Sequence, residues 1–231
     1  MIVRRGPDVI HLITQPDHAR LAGDIMSHWQ ALAGHPRRPS IRLAVEQHDN
    51  GWREPDATPT IDPASGRVHD FINAPASVRQ GVWPRGVDRL SHDPWAAALV
   101  AQHALTVYDR YRNDAEWAEF FATMTRMRDE LIGRVNKSLE QLERDYPFVR
   151  IGDLISLVYC NPWQEETYRD WTICFDRDVV TVTPDAFGGR EIPFQIAAIE
   201  LPDRPFASDD DFVTTLRNAR RVSLSGSIKP R

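Results

Sequence analysis

The sequence has two cysteines, Cys160 and Cys174, too few and too oddly spaced for a disulfide framework. It has no surplus of positive charge: 28 basic and 33 acidic residues are interspersed and give a formal charge of −5. That excludes the extended basic face required by a nucleic-acid backbone. No apolar run approaches the length of a membrane span, and no apolar signal core follows the basic residues of Met1-Ile2-Val3-Arg4-Arg5-Gly6. A cytoplasmic protein with neither nucleic acid nor membrane as partner is expected. Internal repeats and low-complexity stretches are also missing. What is there is an ordinary globular composition over 231 residues, 42% hydrophobic and 26% charged, enough to bury a core without covalent staples.

Two β-branched runs, Ile2 to Arg5 and Val9 to Thr14, flank Gly6-Pro7-Asp8 and predict a hairpin. Leu21, Ile25, Met26, Trp29 and Leu32 recur at helical spacing, so a first helix is expected over His18 to Leu32, stopped by Gly34 and Pro36. A second is expected over Ile41 to Asp49, closed by Asn50-Gly51. From Trp52 to Arg89 the chain is rich in Pro, Gly and Asp, which predicts a long irregular segment serving as a lid or binding surface. Asp93-Pro94 supplies an N-cap and a proline for the first helical position, opening a third helix from Trp95 to Tyr108. Asp114 to Asp145 places Trp117, Phe121, Met124, Leu131, Val135 and Leu142 at three and four residue steps, predicting one long helix ended by Pro147. A shorter helix, Val149 to Tyr159, follows.

The texture changes from Thr167. Trp171 to Phe175, Val179 to Thr183 and Pro193 to Ile199 read as strands, Asp209 to Ala219 as a helix capped by Ser208, and Arg221 to Ser225 as a last strand. The expected fold is mainly α: a helical bundle with a small antiparallel β subdomain made by the C-terminal tail, with which the N-terminal hairpin would pair. The division is 1–165 for the helical part and 166–231 for the tail, packed as one unit.

His48 and Asp49 stand side by side at the end of the second helix. Neighbouring helical residues point about 100° apart, so both reach one ion only near a junction of helices. Transition-metal centres in helical bundles draw imidazole and carboxylate ligands from facing helices, which suits Fe, Mn, Zn or Ni. His18, His103 and Asp153 lie on the other helices and complete the candidate set. His92 stands eleven residues before His103, about 16 Å along a straight helix, and cannot share its ion. It is left as a group near the site or the substrate, while His11, His28, His35 and His69 default to surface or loop roles. Arg53 is the candidate for steadying negative charge on a substrate. Glu46 is expected to point away from His48. Trp52, Phe71, Trp83 and Trp95 are candidates for a pocket wall, and Cys160 for inert packing.

Ala44-Val45-Glu46-Gln47-His48-Asp49-Asn50-Gly51 resembles the central motif of HD-domain proteins, in which small apolar residues precede His-Asp and a glycine follows. The order is similar too: an earlier helical His, then His-Asp, then a late Asp in an apolar helix. More closely, the chain resembles an uncharacterised bacterial family known as DUF3891. The resemblance is carried by Ile13-Thr14-Gln15-Pro16-Asp17-His18-Ala19 with Leu21-Ala22-Gly23, by His48-Asp49-Asn50-Gly51-Trp52, by Ala97-Ala98-Leu99-Val100-Ala101-Gln102-His103, and by Asp153-Leu154-Ile155-Ser156-Leu157. It covers nearly the whole chain. It implies an HD-domain-like helical bundle holding one or two divalent transition ions, and a hydrolase acting on a phosphate ester of a small molecule or nucleotide. His103 is reminiscent of the two-metal branch, so a dinuclear-iron oxygenase of a small organic substrate is the alternative, and a non-catalytic metal-binding or sensory module a third. A homo-oligomer is left open.

Overall fold

Gly6 N–H donates to the Val9 carbonyl at 2.8 Å and turns the chain back on itself. The predicted hairpin forms as β1 (Ile2–Arg5) and β2 (Val9–Ile13), with Ile2 opposite Ile13, in the computed structural model, which describes residues 1–230. The Thr14 side chain accepts from Asp17 N–H and Pro16 occupies the first turn, so α1 (Gln15–Met26) starts immediately after β2. The expected helix to Leu32 is broken at residues 27–29, and a short α2 (Gln30–Ala33) follows. Helix α3 (Arg38–Gln47) stops with His48 as its C-cap, leaving Asp49 beyond the helix end.

The segment expected to be irregular from Trp52 to Arg89 is about half helical, with residues 58–75 a loop as expected. A 3-10 turn (Asn50–Trp52) leads into α4 (Arg53–Ala57), and α5 (Ala76–Asp88) follows a loop pinned by an isolated bridge between Ile61 and Val68. Helix α5 contains Pro84, which removes a hydrogen bond, yet it buries Val82, Trp83 and Val87. Packing outweighs local preference there. Helix α6 (Pro94–Val107) forms as expected, with the Asp93 carboxylate accepting from Ala96 N–H.

The predicted single helix from Asp114 to Asp145 is in fact two. A 3-10 turn (Ala115–Trp117) opens α7 (Ala118–Arg134), and α8 (Leu139–Cys160) starts at a capping box in which Ser138 accepts from Gln141 N–H and Gln141 answers Ser138 N–H. Between them Asn136 takes φ 50°, a left-handed conformation that asparagine tolerates. Pro147 lies inside α8 rather than ending a helix, so the segment Val149 to Tyr159 is the second half of α8, buried along its length.

Beyond α8 come β3 (Glu165–Tyr168), β4 (Trp171–Asp176), β5 (Val179–Thr183), β6 (Ile192–Pro202), α9 (Asp209–Arg217), capped by Ser208, and β7 (Arg220–Pro230). They join the hairpin in a seven-stranded sheet of order β1-β2-β6-β7-β5-β4-β3, antiparallel except where β5 pairs with β7. The expected mainly α bundle with a small antiparallel subdomain is therefore wrong. The chain is about 50% helical, with a curled mixed sheet contributing about 21% strand. The pairing of β2 with β6, Val9 opposite Pro202, merges hairpin and tail into one layer.

One core runs between sheet and helices, from Ile173, Val180, Ile196 and Ile228 to Trp29, Ile155 and Val158. A second, smaller one packs Val3, Leu12 and Leu201 under Phe206 and Phe212 of the α9 region. Helices α1, α3, α6 and α8 pack on one another. A Cβ on Gly152 would stand 2.8 Å from Met26 Cγ and 3.0 Å from Val45 Cγ1, so glycine lets α8 approach α1 and α3 at contact distance. Asp153 is thereby brought up to His18 and His48. No helix among the described residues is long and apolar enough to cross a membrane.

Candidate metal centre

The first turn of α1 supplies His18, the C-cap of α3 His48, the next residue Asp49, the middle of α6 His103, and α8 Asp153. These five are 0, 1, 6, 2 and 2% exposed. Burying so many ionisable groups is costly unless they pair or ligate. The structure brings all five predicted residues together. His18 Nε2 lies 3.0 Å from His48 Nε2, 3.2 Å from Asp49 Oδ2 and 3.5 Å from Asp153 Oδ1. His48 Nε2 lies 3.5 Å from each of the same two oxygens. Donors bonded to one ion at about 2.0–2.1 Å stand about 2.9–3.4 Å apart, so these separations match the edges of a coordination shell. His103 Nε2 meets the other oxygen of Asp153, Oδ2, at 3.5 Å. Two overlapping triads suit a cation: His18, His48 and Asp49, and His48, His103 and Asp153.

The opposite ring nitrogens are already occupied. His48 Nδ1 lies 2.6 Å from the Val45 carbonyl, which can only accept, so the neutral ring carries its lone pair on Nε2. Ser156 Oγ is 2.7 Å from His18 Nδ1 and 2.9 Å from the Asp153 carbonyl. A hydroxyl donating to that carbonyl accepts from His18 Nδ1, again leaving Nε2 bare. His103 Nδ1 is 3.1 Å from the Tyr146 hydroxyl. Such outer partners orient ligating imidazoles. The donor set, its spacing and its outer bonds all fit a divalent transition ion.

The electrostatics agree. Burial lowers the proton affinity of His48, but Asp49 and Asp153 outweigh it and lift the ring to about 9. Burial pushes His103 down to about 3, which keeps it neutral at physiological pH. Burial alone would raise Asp153, yet hydrogen bonding to His48 and the charge of Arg150 hold its carboxyl well below the usual range. A site that binds a proton this firmly has negative potential to offer a cation.

One side of the cluster opens into a cavity of about 290 Å³, to which Asp49, His103 and Asp153 contribute its polar floor. Trp52, Phe71 and Trp83 form walls, as expected. Trp95 does not; it is buried elsewhere and donates to Asp145. Arg53 is also not brought to the site. It is exposed at the start of α4, 3.4 Å from Gln47. His92 is exposed and Glu46 is only partly buried, against Gly23 of α1. Burial holds the Cys160 thiol above its ordinary value, consistent with packing.

The cations that do line the cavity are Arg79, Arg110 and Arg150. Arg150 Nη1 donates to Asp153 Oδ2 at 2.6 Å, three residues along α8, a helical neighbour spacing visible in the sequence. Arg79 lies on α5, in the stretch expected to be irregular, so no periodicity pointed to it. Gln15 and Arg79 also line this cavity, and Gln15 Oε1 and Arg79 Nε are buried without a protein hydrogen-bond partner.

The family described as protein of unknown function (DUF3891) matches residues 1–203. No curated protein and no solved structure matches the chain.

Proposed function

The chain belongs to the DUF3891 family, and from that premise we propose that it is a metal-dependent hydrolase of the HD type acting on a small phosphate ester. The observation that carries this reading is the buried quartet His18, His48, Asp49 and Asp153, with facing donors 3.0–3.5 Å apart, at the floor of an arginine-lined cavity. These four residues would hold the ion, and His103 stands beside them on the cavity side. A divalent transition ion there supplies Lewis acidity, polarising a phosphoryl oxygen and acidifying water.

The chain's own groups supply the rest. His103, kept neutral by burial, lines the cavity and can accept a hydrogen bond from the attacking water and orient it. Arg150, held by Asp153, places a fixed positive charge beside the reacting phosphoryl group as its oxygens gain charge. Trp52, Trp83 and Phe71 narrow the cavity and keep bulk water out. Water adds to phosphorus, the ester P–O bond breaks, and phosphate and an alcohol leave.

Protein purified without chelator should contain one divalent transition ion per chain by elemental analysis. Loaded with Mn, Zn, Ni or Fe, it should release phosphate from a panel of small phosphomonoesters. His48→Ala should lower kcat/KM by more than about a hundredfold, beyond what loss of an outer partner costs. Absence of metal under every loading condition would refute the reading. The second triad, His48, His103 and Asp153, favours one other outcome, a dinuclear-iron oxygenase. Two irons per chain with dioxygen uptake and no phosphate release would establish it.

A further inference from the structure

The cavity holds more positive charge than its protein partners answer. Asp49 and Asp153 balance a divalent ion, and Arg150 is tied to Asp153. Arg79 and Arg110 remain. Both guanidinium groups lie on the ring of Tyr111, their Cζ atoms 5.4 and 4.7 Å from its centroid. Arg79 also lies 5.3 Å from the Trp117 ring, and Tyr111 stacks on Trp117 at 4.7 Å. The neighbouring Asp109 is engaged with Arg112. Among the described residues no carboxylate lies within ion-pair distance of Arg79 or Arg110, and Arg79 Nε is buried without an acceptor. Two guanidinium groups on one ring, both lining the cavity and neither paired with a carboxylate, form a place for an anion that the protein does not supply. The hydrogen bond from Arg79 lowers the pKa of the Tyr111 hydroxyl, with the charge of Arg110 assisting, in keeping with the same unanswered field.

This place and the metal floor belong to one cavity of about 290 Å³, near the lower end of the range for small-molecule sites. A single small ligand therefore spans both. We propose that the substrate carries two anionic groups: a phosphate at the metal and Arg150, and a second anion, carboxylate or phosphate, at a subsite formed by Arg79 and Arg110. The phosphate half of this assignment rests on the hydrolase reading, whereas the second subsite rests on its own two arginines.

The test compares binding of 3-phosphoglycerate with that of glycerol 3-phosphate, an ester of the same length that lacks the carboxylate. Binding is followed by calorimetry or by quenching of Trp52, Trp83 and Trp163, in metal-loaded and chelator-stripped protein. Wild type should prefer the phosphocarboxylate by about tenfold or more, as a charge-assisted contact gives. Arg79→Gln and Arg110→Gln should each reduce that preference toward unity, and stripping the metal should weaken both ligands while leaving the preference in place. Arg110 is exposed, so Arg110→Gln carries the test even if Arg79→Gln misfolds. Equal binding of the two ligands, no binding of either, or a preference untouched by the variants would overturn the proposal. A preference that follows the arginines with no phosphate released under any metal would leave the subsite standing and remove the hydrolase reading.

Discussion

Helix α8 carries two buried carboxylates eight residues apart, Asp145 and Asp153, and they are treated in opposite ways. Asp145 is closed. Arg37 Nε and Nη2 donate to its two oxygens at 2.5 and 2.8 Å, Trp95 Nε1 donates at 2.9 Å, and His35 Nε2 lies 3.4 Å away. Both oxygens there accept from protein donors. At Asp153, which Arg150 pairs at 2.6 Å, the surroundings include a second carboxylate, Asp49, whose ion-pair partners among the described residues are His18 and His48, and imidazole nitrogens that face one another. Full burial is common to both clusters and distinguishes neither. What separates an internal brace from a candidate site is the kind of partner: the first is filled by N–H donors of the protein, and the second brings imidazole nitrogens and carboxylate oxygens face to face, where a proton or a cation can sit between them.

That contrast can be broken most forcefully at the brace. Asp145→Asn should cost about 3 kcal/mol in urea unfolding, the low end for halving a buried pair because Arg37 keeps access to water. Its metal content should match wild type. Loss of metal in this variant would show that the clusters are not independent. Next in size is the effect of the ion itself, about 2.7 kcal/mol of added stability at a hundredfold excess over Kd. Asp49→Asn should lose that increment, and its metal-free urea midpoint should fall by less than that of Asp145→Asn. A larger metal-free loss would make Asp49 a brace like Asp145. The most gradual effect is on pH. His48 is raised from the ordinary 6.5 to about 9, so the stability it contributes is complete below 6.5 and lost as pH rises through 9. Urea midpoints of stripped protein should therefore fall from about pH 6.5 to 9. Metal-loaded protein, in which the ion stands for the proton, should show no such decline.

The five residues that cluster here, His18, His48, Asp49, His103 and Asp153, were legible in the sequence, because each sits in a short string with a clear helical context. The fold was less so. Ser138 and Gln141 spell a capping box and Asn136 a left-handed turn, so the break between α7 and α8 was written locally but masked by an apolar period that continues across it. Pro84 and Pro147 misled in the other direction, since each sits in a helix held by burial rather than by its own preference. The sheet was hidden for a different reason. β6 and β7 run eleven residues each, beyond the local β-branched runs, and the joins of β2 to β6 and β5 to β7 are long-range pairings that no window of sequence records. Arg79 and Arg110 escaped for the same cause: they come to one ring and one cavity only after α5 and the end of α6 have packed.

Gly51 ties these parts together mechanically. A Cβ there would stand 1.9 Å from the Val82 carbonyl oxygen, and the preceding Asn50 Nδ2 donates to the Gly86 carbonyl at 3.2 Å. Helix α5 is thus seated directly on the residues that follow His48 and Asp49, and it is α5 that carries Trp83 and Arg79. The floor and the wall of the cavity meet at this one contact, so any displacement of α5 would bear directly on the turn that carries Asp49.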